Sequence, residues 1–127
     1  MGQSFSVVLH LREPKEGEIA LMVIGLTFTF LKQFGLGLYL TFPLLLSLAA
    51  LITLLGQFVG TKEGWSRFDS LYWSFITATT VGYGDIRPTR HGSRIFAVMI
   101  AFLGHVLSGI IIAVAVNAAT LALKTTR

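Results

Sequence analysis

The residues best equipped for chemistry gather in one stretch, TATTVGYGD, Thr77 to Asp85. Two adjacent threonine hydroxyls precede two glycines one residue apart, with a tyrosine between the glycines and an aspartate at the end. Glycine visits left-handed backbone at little steric cost, so such a segment can hold a course that other residues resist. Bond-making chemistry finds no support elsewhere. The chain has no HExxH pair, Walker loop or nucleophile elbow, its six acidic residues are dispersed, and it has no cysteine for a disulfide or thiolate metal site. The reading is of a protein that is not an enzyme and carries no cofactor.

The elements that position this stretch follow from its surroundings. Hydrophobic residues make up 54% of the chain and charged residues 13%, a balance that suits a membrane protein better than a soluble domain of 127 residues. Lys and Arg are scattered despite the formal charge of +4, which argues against a nucleic-acid partner. Phe34 to Val59 and Ile95 to Leu123 are free of charge for 26 and 29 residues, more than the roughly 20 that cross a hydrocarbon core. Between them, Gly60 to Ser70 and Ile86 to Arg94 read as polar loops. Leu71 to Thr79 is helix-compatible but too short to cross, with Asp69 and Ser70 suited to its N-terminus. The order is an outer helix 34–59, a half-helix 69–79, the polar segment 80–85 and an inner helix 94–123.

Residues 1–33 read as a leader. Within it Ile19 to Leu31 is uncharged but short, and a separate interfacial helix is expected there; a third span running through Lys32 to about Leu40 is the alternative. No small-x-small cleavage site follows, which argues against a signal peptide. Irregular backbone at membrane depth is tolerated only inside protein or against a water-filled cavity, so Thr80 to Asp85 must line something wet. Two spans cannot enclose a pathway, and several copies must surround it. Small residues four apart, Ala97 and Ala101, Gly104 and Ser108, Gly109 and Ala113, Ala115 and Ala119, suit the close helix packing this needs.

The run Thr80-Val81-Gly82-Tyr83-Gly84-Asp85 resembles the selectivity-filter signature of potassium channels, in which backbone carbonyls select the ion. With its half-helix and flanking spans, the resemblance covers about Phe34 to Leu123. It implies an all-α membrane protein in which two transmembrane helices flank a re-entrant pore helix, 69–79, and a selectivity filter, 80–85. The pore domain is 34–127, and three further identical subunits complete a homotetramer. K+ is the implied permeant ion, stripped of water and held by the carbonyls of Thr80, Val81, Gly82 and Tyr83 and the Thr80 hydroxyl. Gly84 completes the filter, while the Val81 and Tyr83 side chains turn outward to brace it.

The resemblance also implies supporting roles. Trp73 is expected to donate its indole N–H to Asp85, with Tyr72 in an aromatic cuff around Tyr83; Ile76 stands where some relatives carry a second carboxylate. Gly104, 19 residues after Asp85, falls at the gating hinge, with helix packing as the rival use of this glycine. His105, Ser108, Ile112 and Val116 fall on the cavity-lining register. A weakly selective cation channel of the same fold and a non-conducting membrane assembly subunit are the rival readings. The intact Tyr83-Gly84 pair disfavours the first.

Five basic residues fall on each side of the spans, Arg12, Lys15, Lys32, Lys124 and Arg127 against Lys62, Arg67, Arg87, Arg90 and Arg94, so the positive-inside count does not decide orientation. The resemblance places both termini of a multi-pass cell-membrane protein in the cytoplasm. Arg87, Arg90 and Arg94 are expected as a solvated outer rim, and Glu63 has no evident partner. No arginine-repeat voltage sensor precedes the pore segment, so the opening stimulus is not readable, and a regulatory domain carried outside this chain is a partner to expect.

Overall fold

The computed structural model describes residues 15–125, so residues 1–14 of the expected leader, together with Thr126 and Arg127, lie outside the described residues. Three helices make up the described chain: α1, Glu16–Glu63, α2, Arg67–Ala78, and α3, His91–Thr125. At about 1.5 Å per residue, α1 is about 72 Å long, α3 about 52 Å and α2 only about 18 Å. Among the described residues, α1 and α3 are long and apolar enough to cross a membrane. The short α2 cannot.

The expected separate helix at Ile19–Leu31 is not a separate element. Lys32 and Gln33 are good helix formers, and Gly35 and Gly37 are tolerated within the helix, so α1 runs unbroken from the leader into the outer span. Its hydroxyls bond the helix's own carbonyls, as Thr41 does to Gly37 at 2.8 Å and Thr53 to Ala49 at 2.8 Å, which leaves an apolar exterior. Gly64 stops the helix. Its φ of 79° is left-handed, and its N–H and that of Trp65 both return to the Gly60 carbonyl.

The half-helix begins two residues earlier than its sequence suggests. Ser66, not Asp69 or Ser70, is the N-cap: its Oγ accepts from the Asp69 N–H at 3.1 Å and donates to the Asp69 carboxylate at 2.8 Å, a reciprocal cap. The inner helix likewise starts at His91, before the expected residue 94, because the capping groups lie upstream of the apolar run.

α1 and α3 are antiparallel. Phe58 meets Phe96 edge-on at 5.1 Å near one end, Gly37 faces Val114 further along, and Leu26, Thr27 and Phe30 share a cavity of about 240 Å³ with Ala119, Ala122 and Leu123 near the other. α2 fits between their loop-side halves. Gly56 and Gly60 let it approach: a Cβ at Gly56 would strike Ser74, and one at Gly60 would strike Ser70. This is a small-xxx-small contact in which both partners are small, and the buried Ser70 and Ser74 hydroxyls are satisfied within α2. The core around it consists of Ile52, Val59, Trp73, Ala78 and Ile100.

Candidate functional site

The end of α2 fixes where the polar segment begins. Thr79 closes the helix with its N–H on the Phe75 carbonyl at 2.9 Å, and the Thr80 N–H returns to Thr77 at 3.1 Å. The N–H groups of Val81 and Gly82 then both reach back to the Ile76 carbonyl, at 3.0 and 3.3 Å. Donors of the segment are thereby turned toward α2. Among the described residues, no N–H or O–H donates to the carbonyls of Thr80 through Gly84.

The backbone signs alternate. Thr80, Gly82 and Gly84 have φ of 62°, 53° and 79°, while Val81 and Tyr83 do not enter the positive region. Left-handed backbone is inexpensive for the two glycines but costs Thr80 about 1 kcal/mol or more, a strain of the kind held at functional sites. Every residue from Thr79 to Asp85 is exposed in the single chain, and Tyr83 is 71% exposed. Thr80 to Asp85 thus form an exposed strip in which the carbonyls of Thr80 to Gly84 accept from no donor among the described residues.

Behind the strip, the tie to Asp85 comes from Tyr72 and not from Trp73. The Tyr72 hydroxyl donates to Oδ2 of Asp85 at 3.0 Å. That bond to the carboxylate, with smaller contributions from desolvation and from the charges of Asp85 and Tyr83, raises the Tyr72 phenol above its ordinary range. Trp73, one residue on, points roughly 100° around the helix into the core, where it is 5% exposed and meets Trp65 edge-on at 5.2 Å. Indole and phenol are both donors, so the residue types alone do not choose between them.

Gly104 is buried against α2. A Cβ there would overlap the backbone oxygen, carbon and Cα of Ala78, so α3 crosses the end of the half-helix at backbone contact. The expected hinge position is therefore a packing position in this structure. His105, Ile112 and Val116 lie away from the buried residues Ile100, Gly104, Ala118 and Ala122 of α3, whereas Ser108, four residues after Gly104, borders that buried face and is half-buried; Ile112 is 62% and Val116 60% exposed. The His105 Nδ1 is 2.7 Å from the Ala101 carbonyl.

Glu63 is the residue that sequence reasoning missed. At the last position of α1 its carboxylate accepts from the Thr89 N–H at 3.0 Å, the Thr89 hydroxyl at 2.7 Å and the Arg90 N–H at 3.1 Å, and so caps the N-terminus of α3. The buried Ser93 hydroxyl also faces this carboxylate, although it falls short of hydrogen-bond geometry. Ser93, then the Thr89 hydroxyl and the Thr89 and Arg90 N–H groups, hold the Glu63 carboxyl down at about 2. Of the outer arginines, Arg94 reaches the Pro88 carbonyl at 3.3 Å, and all three side chains stay exposed.

Two helices long and apolar enough to cross a membrane thus embrace a half-helix that ends in a sign-alternating, acceptor-rich strip. A family model described as "Ion channel" matches residues 40–120, more than half of the chain. The chain is 48% identical over 65 residues to the TWiK family of potassium channels protein 7 of Caenorhabditis elegans, covering 49% of this chain and 12% of that protein. It is 41% identical over 39 residues to a voltage-gated potassium channel of Aeropyrum pernix, 31% of this chain and 13% of the relative. To the two pore potassium channel b of Oryza sativa it is 34% identical over 73 residues, 58% and 21%. The match thus spans about a fifth or less of the length of these relatives. No solved structure gives a significant match. The chain belongs to the ion channel family, and these relatives are potassium channels.

Proposed function

We propose that four copies of this chain form a K+-selective channel in the cell membrane, with α2 re-entrant and the Thr80–Gly84 strips meeting on the axis. The observation that carries this is the division of labour in the strip: the N–H groups of Val81 and Gly82 are spent on Ile76, while the carbonyls of Thr80 to Gly84 have no donor among the described residues. Ringed around an axis, such carbonyls replace the water shell of a dehydrated cation. The C-terminus of α2, whose partial charge is negative, lies next to the strip and favours a cation below Thr80. A single chain leaves Val98, Phe102, Ile112 and Val116 on α3 largely exposed, an apolar face that neighbouring copies would cover around the cavity. Because α1 and α3 are antiparallel, both termini of the described chain leave on the side away from the filter, and we assign that side to the cytoplasm.

The test is flux from purified protein in liposomes under K+ and Na+ gradients. K+ flux well above Na+ flux is expected, and it should vanish in Gly82→Ala, because a Cβ at a φ of 53° strains the strip. Equal flux of both ions would point to a weakly selective cation channel. No flux from a correctly assembled protein would point to a membrane assembly subunit.

A further inference from the structure

His105 is a polar side chain within the apolar α3, and nothing in the Thr80–Asp85 strip uses it. It is the sole ionisable side chain between Arg94 and Lys124. Its Nδ1 lies 2.7 Å from the Ala101 carbonyl, and a carbonyl only accepts, so Nδ1 carries the hydrogen and, in the neutral ring, Nε2 is the nitrogen left to accept. An imidazole whose one nitrogen donates to a backbone carbonyl is oriented as metal-ligating histidines are. The ring is exposed. It shares a stripe with Val98, Phe102, Ile112 and Val116, on the opposite side of α3 from the residues buried against α1 and α2.

Among the described residues of one chain this nitrogen has no co-ligands. Among the described residues, no three His, Cys, Asp or Glu side chains come together. A complete ligand set must come from other copies. We propose that His105 rings of neighbouring subunits jointly bind a borderline divalent ion, Zn2+ or Ni2+, inside the pore, and that the bound ion stops K+ by occupying the path with positive charge. This rests on the tetrameric-channel reading above. Neutral imidazole suits Zn2+ and Ni2+, whereas Mg2+ and Ca2+ take oxygen ligands, so the site discriminates between the two groups of ions.

The full-length protein in K+-loaded liposomes tests this with NiCl2 as the probe, alongside calorimetric titration of the same preparation. The expected result is one Ni2+ bound per four chains, loss of K+ flux on Ni2+ addition, recovery with a chelator, and no response to Mg2+. His105→Asn and His105→Gln should both lose the bound ion, and the ratio of their fluxes with and without Ni2+ should be one. His10 and His91 remain in both variants, so unchanged binding or block there overturns the proposal, as does one ion per chain or an equal block by Mg2+. K+ flux without stoichiometric Ni2+ binding refutes the metal site alone. Absence of K+ flux in metal-free wild type refutes the channel reading, and absence of four-chain stoichiometry in that same sample then refutes the site as well.

Discussion

Gly104→Ala separates two uses of one glycine. A hinge glycine replaced by alanine would stiffen α3 and leave it better formed, since alanine is favoured over glycine in a helix interior by up to about 1 kcal/mol. The structure sets a larger effect against this gain. The new Cβ would lie 2.5 Å from the Ala78 Cα and closer still to its carbonyl, where carbon atoms ordinarily rest about 3.5–4.0 Å apart. The obstacle is backbone, which cannot swing aside as a side chain does, so α2 and α3 must separate by about 1 Å or more. Overpacking of this kind costs about 1–3 kcal/mol, and taking its upper end against the propensity gain leaves a net loss of about 2 kcal/mol. That is about a 30-fold fall in the folded-to-unfolded ratio. Ala78 is the last residue of α2, two positions before Thr80, so K+ flux should fall with stability. Denaturant unfolding in detergent, with liposome flux on the same samples, measures both. Gly109→Ala, whose Cβ meets nothing within 4 Å in the chain, is the control that should retain or gain stability. A Gly104→Ala protein as stable as wild type and altered only in open probability would refute the packing argument and restore the hinge.

Two further outcomes follow from the supports behind the strip. Tyr72→Phe removes the hydroxyl donor to Asp85 and should speed the decay of K+ current during sustained opening, whereas Trp73→Phe should act through stability; matching decay in Tyr72→Phe and wild type would remove the tie from consideration. Glu63, depressed from 4.5 to about 2 in the folded chain, contributes stability that is fully present above about pH 4.5 and is lost as pH falls through about 2. Unfolding midpoints should therefore be flat between pH 5 and 8 and drop at lower pH, and Glu63→Gln should flatten that acid limb; an unchanged acid limb in the variant would place the effect elsewhere.

What sequence conveyed and what it withheld divide along physical lines. The strip was legible because two glycines one apart amid threonines, inside an apolar chain, answer to a single backbone requirement, and the φ values at Gly82 and Gly84 meet it. The order of span, half-helix, strip and span was legible from lengths alone. Contacts between distant residues were not: Glu63 finds its donors 26 and 27 positions away, and no local pattern announces that pairing. Tyr72 and Trp73 are adjacent donors, and only the rotation of α2 decides which faces Asp85. The join at Lys32 was misplaced because a charge marks where apolar sequence pauses, not where a helix stops.

That unbroken join gives α1 the properties of a lever. One rod links the Glu63 anchor on α3 to Glu16, and it runs well past any bilayer about 30 Å thick. Its hydrogen-bond ladder has one interruption imposed by residue type, Pro43, which lacks the N–H that would bond Tyr39. Glu16 is roughly 40 Å from that joint along the helix, so a bend of about 10° there sweeps the inner tip through about 7 Å while the filter end stays still. A small change of angle at Pro43 is thus read out, enlarged, as a displacement at the far end of α1.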